Sequence, residues 1–205
     1  MTGLDPRHPM VFDARVLGRR AGAMVQERRV IPVTDGVGQI GTDVVAVVPG
    51  AELDVDLRLE SVLEGVLASG AVGSVAEGTC VRCLEPVRLP VSATFQELFA
   101  YADRAAHHHQ VGAQDDEEAH VLVGDLLNLE PVLRDAIVPA LPFQPVCRPD
   151  CPGLCDQCGQ PLDADPGHVH EDVDPRWAAL AGLAAASDTS PQTGPSGPGN
   201  QEKRN

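Results

Sequence analysis

A chain of 205 residues, 43% of them apolar, has enough material for one core, so it reads as one domain or one domain with a tail. Its formal net charge of −15, with Arg as nearly all the basic complement and Lys203 the only lysine, disfavours a grip on nucleic-acid phosphates, which needs cations to displace counterions. No apolar run reaches the roughly eighteen residues that would span a membrane, and the polar, proline-containing stretch 1–9 reads as a flexible N-terminus rather than a secretory signal, which points to a cytoplasmic protein.

Residues 11–17 alternate, with Phe12, Ala14 and Val16 opposed to Asp13 and Arg15, and predict a half-buried strand. The run 44–48, Val-Val-Ala-Val-Val, predicts a short buried one. Period two is cleanest at 53–60, where Leu53, Val55, Leu57 and Leu59 oppose Asp54, Asp56, Arg58 and Glu60. It is equally clear where Val87, Leu89, Val91, Ala93 and Phe95 oppose Arg88, Pro90, Ser92 and Thr94. One apolar face per strand is the pattern of an antiparallel sheet. Between these two runs, 65–79 predicts a strand weakened by Gly70 and Gly73. Cys80-Val-Arg-Cys83 then falls at the tip of a hairpin between 65–79 and 87–96.

Residues 102–120 break the pattern with His107-His108-His109 and Asp115-Asp116-Glu117-Glu118, and read as a poorly ordered acidic, His-rich loop. Adjacent imidazoles without a second fixed group make only an adventitious metal site. From Asp125 the period turns helical: Val132, Leu133, Ala136, Ile137, Ala140 and Leu141 form an apolar stripe. Asn128 or Glu130 suits the cap, Pro131 the first turn, and Pro139 should kink or end the helix. Such a stripe predicts a helix laid across the sheet, carrying Cys147 towards the hairpin tip. Asp174, Pro175, Trp177, Leu180 and Leu183 predict a short helix over 174–183, and 184–205 has the composition of a disordered tail.

The six cysteines fall in metal-ligand spacings: Cys80-x-x-Cys83, then Cys147-x-x-x-Cys151-x-x-x-Cys155-x-x-Cys158-Gly159, followed by His168 and His170. Two residues between thiols let both sulfurs point to the same side of a tight turn, and Gly159 suits the positive φ such a turn often needs. Away from an oxidising compartment, thiols so spaced are metal ligands before they are disulfides. Redox catalysis by C-x-x-C pairs needs a strand running into a helix, which neither pair has. Two partitions fit the spacing. One joins Cys155, Cys158, His168 and His170 locally and leaves Cys80, Cys83, Cys147 and Cys151 as a long-range set; the other is a four-cysteine ribbon of Cys80, Cys83, Cys155 and Cys158. Four protein ligands leave no open coordination position, so the zinc would be structural, as one or two ions, and no catalytic residues are assigned. The chain also lacks H-E-x-x-H, a nucleophile elbow, a P-loop and a dinucleotide fingerprint.

Three segments, CVRCLEPV at 80–87, DLLNLEPVLRDAIVPALP at 125–142 and CRPDCPGLCDQCG at 147–159, together resemble the YceD family of large ribosomal RNA subunit accumulation proteins. DPRWAALAGL at 174–183 is similar to the ending of its actinobacterial branch. The resemblance covers roughly 10–183 and implies a small, cytoplasmic, non-enzymatic protein linked to accumulation of large-subunit ribosomal RNA. It makes Cys80 and Cys83 the firmest of the ligands.

The expectation is an α+β domain over 10–183, an antiparallel sheet with a crossing helix and a zinc-binding C-terminal Cys/His module at 147–170. Its expected partner is a basic large-subunit ribosomal protein or pre-ribosomal particle, with no tight binding to naked RNA and no membrane association. The rival functions are a zinc/thiol redox sensor and a zinc hydrolase.

Overall fold

The computed structural model describes residues 3–104 and 120–170, and the chain divides into two units, Met1–Ala164 and Asp165–Asn205. The His tract at 107–109, the acidic run at 115–118, the 174–183 segment and the 184–205 tail lie outside the described residues.

In the first unit, β1 (Val11–Asp13) pairs antiparallel with β8 (Leu126–Asn128). A larger six-stranded sheet holds β2 (Met24–Pro32), β3 (Ile40–Gly41), β4 (Val45–Val47), β5 (Glu52–Ser61), β6 (Gly65–Thr79) and β7 (Pro86–Ala100), every pairing antiparallel. β6 organises it: β7 runs along its whole length, from Gly65↔Ala100 to Thr79↔Pro86. Its other edge is shared, β5 pairing with 66–73 and β4 with 77–78. An α-helix, α1 (Glu130–Ala140), packs on β7 and β3.

Alternation explains which faces are buried. Leu53, Val55, Leu57 and Leu59 of β5 are nearly inaccessible and join Val66, Ala68, Val72, Val91, Phe95 and Phe99 in one core, against which α1 sets Val132, Leu133 and Ile137. β6 runs unbroken through Gly70 and Gly73. A Cβ on Gly70 would lie 2.0 Å from the Asp56 carbonyl oxygen, so glycine there permits close strand approach.

Two local readings change. The 11–17 alternation is a three-residue strand followed by a 3-10 turn at Arg15–Leu17, which turns Val16 out to 74% exposure while Phe12 and Ala14 stay buried. Helix does not begin at Asp125: Leu126–Asn128 pairs with β1 first, and Leu129 takes the cap position. The Asn128 Oδ1 accepts the Glu130 N–H at 3.1 Å, supporting the turn from outside it. Pro139 sits in the last turn, and the helix ends one residue later. β2 alternates in exposure although its sequence carries no apolar period, because its inward positions include Glu27 and Arg29. The Arg29 guanidinium lies 4.0 Å from the Phe12 ring centroid and donates to the carbonyls of Pro9 and Val11, so a charged residue covers apolar surface there.

Candidate metal centre

The β6–β7 hairpin ends in the tip Cys80-Val81-Arg82-Cys83-Leu84-Glu85. Its backbone folds tightly on itself: the Cys80 N–H donates to the Glu85 carbonyl at 2.8 Å, and the Leu84 N–H to the Cys80 carbonyl at 2.9 Å. Leu84 consequently holds φ +62°, a left-handed conformation that a branched side chain adopts at a cost. The later pair repeats this design. The Cys155 N–H donates to the Gln160 carbonyl at 2.8 Å, the Gly159 N–H to the Cys155 carbonyl at 2.9 Å, and Gly159 holds φ +73°. Both are turns that point two sulfurs to one side. Glycine signals the second in the sequence; leucine conceals the first.

The segment after α1 docks on the hairpin tip through main-chain bonds on both sides. Val81 donates its N–H to the Pro145 carbonyl at 2.9 Å, and Leu154 donates to the Arg82 carbonyl at 3.2 Å. The Arg82 side chain adds a clamp, its Nη1 donating to the carbonyls of Cys151 at 2.9 Å and Pro149 at 3.3 Å. Gly153, at φ +82°, lets the loop pass closely, since a Cβ there would stand 3.1 Å from the Arg82 oxygen. Sequence reasoning missed this positioning role of Arg82. Its only signal was an arginine between two cysteines.

This docking gathers Cys80, Cys83, Cys147 and Cys151, whose sulfurs all lie within 4.8 Å of one another. Cys80 and Cys151 are buried, Cys83 is partly so and Cys147 is exposed. The separations test the fit to zinc. A tetrahedral ion with Zn–S bonds of about 2.3 Å requires sulfurs about 3.8 Å apart. Cys83 and Cys147 are 3.7 Å apart and Cys80 and Cys151 4.0 Å, so the donor set fits in kind and in spacing.

Electrostatics favour a cation at the same point. Backbone N–H groups, first that of Cys83 and then those of Cys147 and Arg82, hold the Cys80 thiol down to about 6 against the effect of burial. Cys147 is pushed up to about 12, chiefly by the neighbouring Cys151 sulfur, with those of Cys83 and Cys80 adding to it. The crowded sulfurs therefore oppose ionisation of Cys147, beside a Cys80 thiol held low by backbone donors. A bound divalent cation removes that opposition.

Cys155 and Cys158 lie near the end of the first unit. Cys155 is buried and its thiol is held down by the N–H groups of Cys158 and Gln157. In the second unit, His168 and His170 meet edge to face with Nε2 atoms 2.8 Å apart, so two imidazole nitrogens converge on one point. Asp165 stands by His168, its carbonyl accepting the His168 N–H at 3.0 Å.

Among the described residues no helix is long and apolar enough to cross a membrane. The family model described as large ribosomal RNA subunit accumulation protein YceD matches residues 68–184, from β6 past the last histidine. The chain is also 47% identical over 182 residues to uncharacterized proteins of Mycobacterium tuberculosis and Mycobacterium bovis, covering 88% of this chain and 84% of each of those. A Mycobacterium leprae protein is 42% identical over 177 residues, 86% of this chain and 78% of that one. No solved structure matches.

Proposed function

The chain belongs to the YceD family of large ribosomal RNA subunit accumulation proteins, and from that premise we propose that it is a non-enzymatic factor in ribosome assembly with structural zinc. The observation that carries the reading is the family match, which spans the β6–β7 hairpin, the crossing helix and the cysteines. The first ion is assigned to Cys80, Cys83, Cys147 and Cys151, where the sulfur spacing supports it. The second is assigned to Cys155, Cys158, His168 and His170 from their C-x-x-C and H-x-H spacing in sequence. When bound, zinc supplies charge neutralisation and a covalent cross-link between the hairpin tip and the segment after α1. The chain's own residues prepare for it: two tight turns aim the sulfurs, and Arg82 holds the Cys151 carbonyl in place. With every position filled by protein, the first site offers no place for a substrate or an activated water.

The net charge of −15 supports a basic large-subunit ribosomal protein or pre-ribosomal particle as the partner, not naked RNA. Deleting the gene and measuring the ratio of large- to small-subunit ribosomal RNA tests the role. A lowered ratio restored by the intact gene is expected; an unchanged ratio refutes it. Elemental analysis of anaerobically purified protein tests the metal, with two zinc ions per chain expected and no stoichiometric metal refuting it.

A second reading, a zinc/thiol redox sensor, draws on the same sulfur separations, which leave Cys83–Cys147 and Cys80–Cys151 close enough to pair once metal departs. Mild peroxide separates the two. A sensor releases zinc quantitatively and forms defined disulfides; a structural centre keeps its zinc.

A further inference from the structure

The solvent face of the sheet carries an opening that the assembly role does not use, at the point where β4 and β5 share one edge of β6. The β5 ladder ends at Asp54↔Gly73 and the β4 ladder resumes at Ala46↔Glu77, so Ser74, Val75 and Ala76 pair with β7 alone. The split has a local cause. Between β4 and β5 the chain turns at Val48–Ala51, with Gly50 at φ +95°, and this turn is held towards β2 instead. Val33 donates to the Ala51 carbonyl at 2.9 Å, Gly50 donates to the Val33 carbonyl at 2.8 Å, and Glu52 and Leu53 continue into register with Pro32 and Ile31. The Ser74 hydroxyl, donating to the Glu52 carbonyl at 2.8 Å, is what spans the gap.

The result is an open groove of about 850 Å³. Its apolar lining includes Val30, 56% exposed, Val75, 40% exposed, and Pro49. Carboxylates of Glu52, Asp54 and Glu77 stand around it, against the single lining cation Arg88, which pairs with Glu77 at 3.2 Å. Asp54 is bonded to Arg28, whereas Glu52 has no ion pair among the described residues. The main chain is also directed into the opening. Thr79 gives its N–H to Val44 on the β4 side, and the β6–β7 register is unbroken, so the period of two turns the N–H and C=O of Val75 to the same edge.

We propose that this groove docks a short, extended, basic polypeptide segment, which adds its main chain to Val75 and sets an apolar side chain against Val30, Pro49 and Val75. Its cations face Glu52, Asp54 and Glu77. A strand edge selects polypeptide, because main-chain pairing is the recognition an extended peptide offers. The carboxylates select a basic one and repel phosphate, so nucleic acid is disfavoured here. The proposal deepens the functional reading above and rests on it for the class of partner.

The test uses full-length, zinc-loaded protein and a synthetic peptide of alternating Lys and Val, with an alternating Glu and Val peptide and single-stranded poly-U RNA as comparisons. Amide chemical shifts should move saturably and only at Val30, Gly50–Asp54, Gly73–Glu77 and Arg88 with the basic peptide. Val75→Lys, an exposed change that should leave melting temperature and zinc content intact, is expected to weaken peptide binding at least fivefold. Shifts elsewhere or absent, a loss under fivefold, or tighter occupation of the same residues by the RNA would overturn the proposal. The two readings fail separately in cells. If deletion lowers large-subunit RNA and Val75→Lys restores it fully, the groove is wrong and the assembly role stands. If deletion leaves the ratio unchanged, the assembly role itself fails.

Discussion

Replacing Cys83 by Ser should release the first zinc and disorder the docked segment while leaving the sheet folded. Ordering residues 145–155 costs about 11–22 kcal/mol at about 1–2 kcal/mol per residue. Four hydrogen bonds tie that segment to the hairpin tip, from Val81, Leu154 and twice from Arg82, and at about 1 kcal/mol each they return only about 4 kcal/mol. A structural zinc contributes about 10–16 kcal/mol, which is the size of the difference, so the segment depends on the ion. The sheet does not. Cys80, Cys151 and Val87 form a small apolar cluster of their own, apart from the main core of β5, β6, β7 and α1. Hydrogen exchange read by mass spectrometry on anaerobic wild type and Cys83→Ser measures this directly. Protection should vanish over 145–155 and persist over Leu53–Leu59 and Val66–Val72. The reasoning is refuted if the variant keeps stoichiometric zinc with full protection at 145–155. It is equally refuted if the strands lose protection together with the segment.

Gly70→Ala should destabilise the fold by about 1–3 kcal/mol, as overpacking does, because the new methyl would meet the Asp56 oxygen at 2.0 Å and the Phe95 ring at 3.1 Å. Gly73→Ala, with nothing within 4 Å, should stay within about 0.5 kcal/mol, and urea melts of both variants check the contrast. Leu133→Ala removes a fully buried side chain of α1 and should cost about 2–5 kcal/mol in the same melts. The Arg28 guanidinium, bonded to Asp54, holds that carboxyl below its ordinary value. A depressed folded pKa means the contribution is present above the unfolded pKa and disappears as pH falls through the folded one. Carbon-detected titration should therefore show Asp54 protonating late in acid, and Arg28→Met should move its titration upward.

Much of this protein was legible in its chain because the facing of a side chain is a local property. The alternation at 53–60 and 87–95 specified β5 and β7 with their buried faces, and the stripe from Val132 to Leu141 specified α1. The two-residue gaps in Cys80–Cys83 and Cys155–Cys158 specified tight turns, which the structure shows as two copies of one hydrogen-bond pattern. Local rules failed where a partner distant in sequence overrode them. Arg29 is tolerated on the inner side of β2 because Phe12 and two carbonyls from the N-terminal segment receive it. Which sulfurs meet was also a tertiary decision. Spacing allowed Cys80 and Cys83 to face either Cys155 and Cys158 or Cys147 and Cys151. The Val81–Pro145 bond and the Arg82 clamp on Cys151 bring in the latter pair. The groove beside Val75 had no signature in sequence at all, since it exists only because β4 and β5 divide one edge of β6 between them. Periodicity tells each strand which side is apolar; only the folded chain decides which strand lies beside it, and for how many residues.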